Sequence, residues 1–268
     1  MPARPRPRRL LPSLLLALAW TGASAQPATP VPSVVVPYVR EPVDKSYRKM
    51  IKGMDRFERE HALAPAAQLR FRLLPRQPGV AMDGIRLRVA GDTLSLALPL
   101  APDNSFDLPR NDAAWQQDAA VVANRKTDSM TWRASIVTPG LAPGTRRLGD
   151  LRLECRVGMD AGLISNSAPL FGWLSKLLTD TDQVCNSPDG NYLFFAERPI
   201  FSVILHDGAR SMVLPYAMLY AGTRQDASTL PWCDCRMLLA QSYYAPIWDR
   251  RWSDDTVLSF EYMDETTP

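Results

Sequence analysis

The sequence predicts a mainly β protein of the α+β class, with a β-sandwich between an N-terminal amphipathic helix and an aromatic-rich C-terminal α+β part. Three observations lead to this prediction. Apolar residues recur at three- and four-residue steps in residues 43–62, and short apolar–polar alternations separated by Gly, Asp and Pro fill residues 66–160. In the predicted α+β part, residues 161–268, 13 of the chain's 23 aromatic residues lie from Tyr192 onward.

The first 25 residues have the pattern of a secretory signal peptide. "MPARPRPRRL" carries four arginines and no acidic residue, a short apolar run follows, and the small residues Ala23 and Ala25 precede Gln26. This pattern predicts cleavage between Ala25 and Gln26 and a periplasmic or secreted protein. The apolar run is shorter than the ~20 residues of a spanning helix, so we expect no transmembrane segment after cleavage.

The charge balance argues against a nucleic-acid partner. The full chain has 31 Lys+Arg and 28 Asp+Glu, a net charge of +3. Four of the arginines belong to the predicted signal peptide, so the mature chain has 27 basic and 28 acidic residues, a net charge of −1. A nearly neutral chain offers no general attraction to a phosphate backbone, and we expect no nucleic acid among the partners.

A proline-rich leader and a helix are predicted before the strands. Residues 26–42 contain five prolines, which favour an extended chain. The predicted helix, 43–62, has an apolar stripe of Val43, Tyr47, Met50, Ile51, Met54 and Phe57 opposite a largely basic face. Such a stripe is typical of a surface helix docked on its own domain, although a basic amphipathic helix can also lie on an anionic membrane.

Six strand-length segments follow with no helix predicted between them. They read "QLRFRLLP", "GIRLRVAGDTLSLALPL", "PDNSFDLP", "AAVVANRK", "MTWRASIV" and "GDLRLECRVGM", and such a series indicates a β-sandwich over 66–160. "GDTLSLALPLAPDNSFDLP" resembles segments of the transthyretin-like and carboxypeptidase-regulatory-like sandwiches of exported bacterial proteins, over about residues 66–110. The whole chain also resembles exported proteobacterial proteins. These resemblances imply a fold and no function.

The C-terminal part is predicted to mix helix and strands. "APLFGWLSKLLTD", residues 168–180, has helical spacing of its apolar residues. Two strands flank Asp207-Gly208, a favourable pair for a hairpin turn, and "TVLSFEYM" predicts a final strand.

The four cysteines predict disulfide bonds, because an even set in an exported protein is usually paired. A ring from Cys233 to Cys235 would be strained. We therefore expect Cys155 and Cys185 each to pair with one of them, with either connectivity open. Cys233-Asp234-Cys235 could instead form a thiol-exchange pair. A zinc site is disfavoured, since Cys155 and Cys185 lack the usual paired spacing.

No catalytic residue, cofactor or metal is predicted. The chain has two histidines, His61 and His206, and neither lies in a metal-binding motif. A nucleophile elbow, a phosphate-binding loop and a dinucleotide fingerprint do not occur in the sequence.

The candidate binding residues lie in "QSYYAPIWDRRWSDD", residues 241–255. Aromatic rings beside carboxylates and guanidinium groups suit a glycan, a peptide or a protein surface, and Trp248 and Trp252 would share a face of a helix. Burial in the core is the other interpretation of clustered aromatics. The candidate residues are Tyr243, Tyr244, Trp248, Asp249, Arg251 and Trp252.

Two functional hypotheses follow from the sequence. The first is an exported, soluble, non-enzymatic envelope protein that binds a glycan, peptide or protein partner. The alternative is a thiol–disulfide exchange protein that uses Cys233 and Cys235.

Overall fold

Antiparallel sheets and a few helices make up the described part of the chain in a computed structural model. The described residues are 44–75, 79–125, 129–163, 181–188, 192–219 and 239–263, and all belong to one unit, Pro37–Pro268. The predicted signal peptide, the leader, the 168–180 segment, Cys233 and Cys235 lie outside the described residues. The mainly β, α+β class is confirmed.

Thirteen strands are described. They are β1 (Lys45–Ser46), β2 (Gln68–Pro75), β3 (Leu87–Ala90), β4 (Ser95–Leu98), β5 (Ser105–Phe106), β6 (Ala120–Ala123), β7 (Met130–Val137), β8 (Thr145–Arg147), β9 (Phe194–Phe195), β10 (Ile200–Asp207), β11 (Arg210–Val213), β12 (Ser242–Tyr243) and β13 (Val257–Tyr262). The described α-helices are α1 (Tyr47–Arg59), α2 (Asp112–Gln116), α3 (Leu148–Asp160) and α4 (Thr181–Asn186). Short 3-10 helices span His61–Leu63, Tyr216–Met218 and Leu239–Gln241.

The strands form four antiparallel sheets, in the orders β1-β6-β3-β4, β5-β2-β7, β11-β10-β13-β8 and β12-β9. Strands β2 and β7 coincide with the predicted segments "QLRFRLLP" and "MTWRASIV" and pair from Gln68↔Val137 to Pro75↔Met130. The hairpin of β10 and β11 turns at Gly208-Ala209, one residue after the predicted pair, because Asp207 still pairs with Arg210. Gly208 has a φ of 59°, a conformation that glycine adopts without strain. Strand β13 is the predicted final strand.

Helix α1 lies inside the predicted 43–62 segment. The hydroxyl of Ser46 caps it by accepting a hydrogen bond from the backbone N–H of Lys49. Tyr47, Met50 and Ile51 of the apolar stripe are buried in a core shared with strands of two sheets. The stripe therefore docks the helix on its own domain.

The prediction of a strand at "GDLRLECRVGM" is wrong, because these residues form helix α3. All but Arg156 and Asp160 of its thirteen residues are buried. One stripe of Leu148, Leu151, Cys155 and Met159 enters the C-terminal core, whereas Leu153 and Val157 enter a second cluster. A helix that is apolar on several sides has no single 3.6-residue period, and here its sequence happened to alternate like a strand.

The predicted cysteine pairing is also wrong. Cys155 of α3 and Cys185 of α4 form a disulfide bond with Cα atoms 5.9 Å apart, and neither bonds to Cys233 or Cys235. Both side chains are buried. Closing a chain segment of 30 residues stabilises the folded state by about 3–4 kcal/mol in the chain-entropy model, so this bond fixes α4 against α3.

The β-rich region and the C-terminal region share secondary structure. Strand β8 lies within residues 66–160 but pairs with β13 near the end of the chain. Helix α3 contributes residues to the C-terminal core, which also contains Phe194, Tyr243 and Trp252. The predicted division at residue 160 therefore runs between elements that pack together.

An ion-pair network joins α1 to α3. The carboxylate of Glu60, at the end of α1, accepts hydrogen bonds from Arg56 and Arg156, and Arg56 also bonds to Asp160 with a 2.8 Å separation. Burial raises the pKa of Glu60, but the hydrogen bonds from Arg156 and Arg56 outweigh it, so the pKa lies below the ordinary value of 4.5.

This network predicts that acid weakens the fold through Glu60. A depressed carboxylate pKa contributes stability above the unfolded-state pKa and loses it as the pH falls through the folded-state pKa. We expect Glu60→Gln to lower the free energy of unfolding by about 1–2 kcal/mol at pH 7 and by less below pH ~4, as measured by urea unfolding. Glu58→Gln, at an exposed position on the same helix, is the control. A Glu60→Gln effect that stays constant down to pH ~3 contradicts the assignment.

Candidate functional site

The predicted binding residues divide into a core pair and a surface group. Tyr243 is 0% exposed and Trp252 is 1% exposed. The ring of Tyr243 packs against Phe194 and Phe260, with centroids 5.7 and 5.2 Å away. These two aromatic residues fill the C-terminal core and offer no surface to a ligand.

The remaining candidates lie in or beside a turn. Tyr244 and Trp248 are half-buried, and Trp248 and Trp252 do not share a helix, because the chain turns between them. The guanidinium of Arg251, 81% exposed, pairs with Asp249 at 2.8 Å, and this hydrogen bonding lowers the pKa of the Asp249 carboxyl. The accessible part of the predicted site is therefore a half-buried Trp248 beside a locally paired Asp249 and Arg251.

A buried arginine missed by the sequence analysis shapes this turn. The guanidinium of Arg152, on α3, donates hydrogen bonds to the backbone oxygens of Ile247, Asp249 and Trp252 and pairs with Asp254. Burial lowers the pKa of Arg152, and the pair with Asp254 opposes that shift. The residue thus holds the 247–254 turn in place. Its position among the apolar residues of α3 was the available sequence signal.

Trp252 is also covered from outside. The guanidinium of Arg210 lies 3.6 Å from the centroid of the Trp252 ring and donates a hydrogen bond to the backbone oxygen of Arg251. This cation–π contact closes the outer face of the ring. Of the residues that suggested ligand binding, Tyr243 and Trp252 therefore belong to the core.

A groove between α1 and β2 has the form of a ligand site. Its volume is about 380 Å³. It is lined by Met54, Phe57, Glu58, Ala67, Gln68, Leu69, Phe71, Asp107 and Leu108. Phe71 and Leu108 are buried at its floor, whereas the carboxylates of Glu58 and Asp107 are 65% and 72% exposed at its rim. An apolar floor with a few polar rim groups is typical of a binding groove.

The rim of the groove carries more acid than base. Arg110 pairs with both Asp55 and Glu58, each at 2.8 Å, and Arg70 pairs with Asp107 at 2.8 Å. Three carboxylates therefore face two guanidinium groups. The hydrogen bonds that Arg110 donates to Glu58 and Asp55 raise the pKa of Arg110, and these five charged groups carry one net negative charge at neutral pH.

The groove exists because β5 is short. It pairs with β2 only at Phe71 and Arg72. Beyond β5 the chain continues towards Pro109, whose backbone oxygen accepts a hydrogen bond from the hydroxyl of Tyr47 on α1. The edge of β2 before Phe71 is left uncovered by described strands. The sequence placed Met54 and Phe57 on the apolar stripe but gave no signal for the length of β5.

The two histidines are held by local contacts. Nε2 of His61 lies 3.2 Å from the backbone oxygen of Ala67, and Nε2 of His206 lies 3.0 Å from the hydroxyl oxygen of Ser259. Within the described ranges, no group of three His, Cys, Asp or Glu side chains could hold a metal ion. No helix among the described residues is long and apolar enough to cross a membrane.

Comparisons with known proteins found no counterpart for this chain. No family model, no curated protein and no solved structure matches it.

The burial of Trp252 predicts a large stability effect. We expect Trp252→Ala to lower the free energy of unfolding by about 3–5 kcal/mol, because it leaves a cavity in the core and removes the ring on which the Arg210 guanidinium packs. The neighbouring Arg251→Ala, at an exposed side chain, should change it by about 0.5 kcal/mol or less. Denaturant unfolding measures both variants. If Trp252→Ala is as stable as the wild type, Trp252 is not a core residue.

Proposed function

We propose that this protein is an exported, soluble, non-enzymatic envelope protein that binds a peptide segment of a partner protein. The observation that carries the proposal is the apolar groove of about 380 Å³ between α1 and β2, with its exposed charged rim. A site of this size accommodates one or two apolar side chains, and its rim charges can orient the chain that carries them.

The groove favours a peptide over a glycan. Sugar rings stack on flat, accessible aromatic faces, but of the two aromatic rings that line the groove Phe71 is buried and Phe57 is half-buried. The aromatic residues Tyr243 and Trp252 are in the core and are no platform for sugars either. Apolar side chains such as Met54 and Leu69 suit an apolar side chain of a peptide.

We also propose that the fold includes a β-sandwich and that the protein is periplasmic or secreted. Two sheets contribute to one core, Phe71 and Trp132 from β5-β2-β7 and Val89 and Val121 from β1-β6-β3-β4, which supports a β-sandwich. The pattern of the first 25 residues supports cleavage after Ala25 and a periplasmic or secreted location.

A second function, thiol–disulfide exchange, is favoured by one observation. The bond between Cys155 and Cys185 removes two of the four cysteines of the chain. Cys233 and Cys235 then have only each other as partners within the chain. A bond across one intervening residue departs from ordinary disulfide geometry, and strained disulfides are the readily reduced ones.

Filling the groove tests the binding proposal. We expect Gln68→Trp, at an exposed position on the groove, to weaken binding of peptides selected by wild-type protein from a displayed random-peptide library by about tenfold or more. Gln116→Trp places the same ring at an exposed position outside the groove and should bind like the wild type. The measurement is peptide affinity by fluorescence anisotropy. Selected peptides that bind the Gln68→Trp protein unchanged would exclude the groove.

Thiol trapping with mass spectrometry tests the second function. For mature protein isolated without reductant, we expect Cys155 and Cys185 to be joined and to resist mild reduction, because both are buried. The exchange function predicts that Cys233 and Cys235 are free, or joined to each other and reduced under the same mild conditions. Resistance of all four cysteines to reduction contradicts it.

A further inference from the structure

The backbone of Leu69 faces the groove, as the pairing of β2 shows. In an antiparallel ladder, the N–H and C=O groups of alternate residues point to opposite sides of the strand. The N–H of Leu73 donates to the backbone oxygen of Asn104, on the side of β5. Leu69 lies four residues earlier in the same strand, so its N–H and C=O point to that side too.

The partner strand gives the same result independently. Leu69 is opposite Ile136 of β7. The N–H of Ile136 donates to Glu154 and its C=O accepts from Arg146, so both groups point away from β2. Leu69 and Ile136 are therefore a non-hydrogen-bonded pair, in which both residues direct their backbone groups outwards.

No described backbone group pairs with Leu69 on that side. Strand β5 ends at Phe106, opposite Phe71, and Leu108 would be the next residue in register with Leu69. The backbone groups of Leu69 and Leu108 are not joined by a hydrogen bond in the described residues. Both residues line the groove. The groove thus offers one backbone donor and one backbone acceptor beside an apolar floor.

We propose that the partner peptide binds by strand addition, with one of its residues forming a hydrogen-bonded pair with Leu69. This inference rests on the proposed peptide-binding function. The paired residue donates its N–H to Leu69 and accepts the N–H of Leu69, as a continuation of β5 would do. Side chains of directly opposite residues lie on the same face of a sheet. The side chain of the paired residue therefore enters the groove beside Leu69 and Phe71 and is apolar.

The charges at the rim of the groove determine which peptide residues are favoured next to the apolar residue that pairs with Leu69. The net negative charge of the rim, with Glu58 on the helix side and Asp107 on the strand side, complements a basic peptide. The partner is accordingly a segment whose extended part begins at the apolar residue and in which lysines or arginines follow within two positions, since Phe106 already occupies the position opposite Phe71. β-Branched residues next to the apolar one favour the extended conformation.

Hydrogen exchange at one amide tests the mode of binding. In the free protein, we expect the Leu69 amide to exchange at least about tenfold faster than the Arg70 amide, which faces β7. The probes are peptides acetyl-Xaa-Val-Lys-Lys-amide, in which Xaa is Leu, Ile or Phe and no residue precedes Xaa, because Phe106 already occupies the position opposite Phe71. A saturating peptide should slow the Leu69 amide about tenfold or more, and methylation of the Xaa nitrogen should weaken binding about tenfold.

The outcomes separate the two proposals. If the peptides bind wild-type and Gln116→Trp protein but not Gln68→Trp protein, and Leu69 is not slowed or methylation has no effect, strand addition is overturned and the groove function stands. If no peptide shows groove-dependent binding, both are overturned. A Leu69 amide that is as protected as that of Arg70 in the free protein also overturns strand addition, since its backbone groups are then already paired.

Discussion

Helix α3 is buried on nearly every side, and its charged side chains form hydrogen bonds or ion pairs with several distant parts of the chain. A buried charge without a partner costs several kcal/mol, so these contacts constrain the positions of the surrounding elements. The pairs are Asp150 with Thr138, Arg152 with the 247–254 turn, Glu154 with Arg146 and the backbone of Ile136, and Arg156 with Glu60 at the end of α1. The disulfide bond between Cys155 and Cys185 also joins α4 to this helix. The arrangement of sheets depends on this helix.

Elements with one buried face were predictable, whereas helix α3, which is buried on nearly every side, was not. Strand β2 alternates, and α1 has a single apolar stripe, so in each the sequence period matches the local structure. In α3, Leu151, Leu153, Cys155 and Val157 alternate as in a strand, while Leu148, Leu151 and Cys155 follow a helical spacing. The same residues therefore fit both the two-residue period of a strand and the 3.6-residue period of a helix. Only the surrounding cores decide which period the backbone follows.

The candidate site could be predicted only in part, because its form depends on pairing between distant strands. The aromatic stretch 241–255 was visible in the sequence. The environment of Trp252, however, depends on two residues that are distant along the chain: Arg152 donates a hydrogen bond to its backbone oxygen, and Arg210 covers its ring. The groove follows from the early end of β5. Nothing in the local sequence of Leu69 reveals that its backbone lacks a neighbour, since an alternating strand reads the same at an edge and in the middle of a sheet.

The place of β13 within its sheet has a consequence for the order in which the chain can fold as it emerges. Strand β13 is the last described strand in sequence but lies between β10 and β8 in space. The pairing of β2 with β7 needs only the chain up to residue 137. Strand β8, in contrast, cannot pair with β13 before residues 257–262 have been synthesised. A chain shortened before Val257 would lose the middle of a sheet and leave β8 and β10 without a common neighbour. The four-stranded sheet of the C-terminal half can therefore be completed only after residues 257–262 have been synthesised.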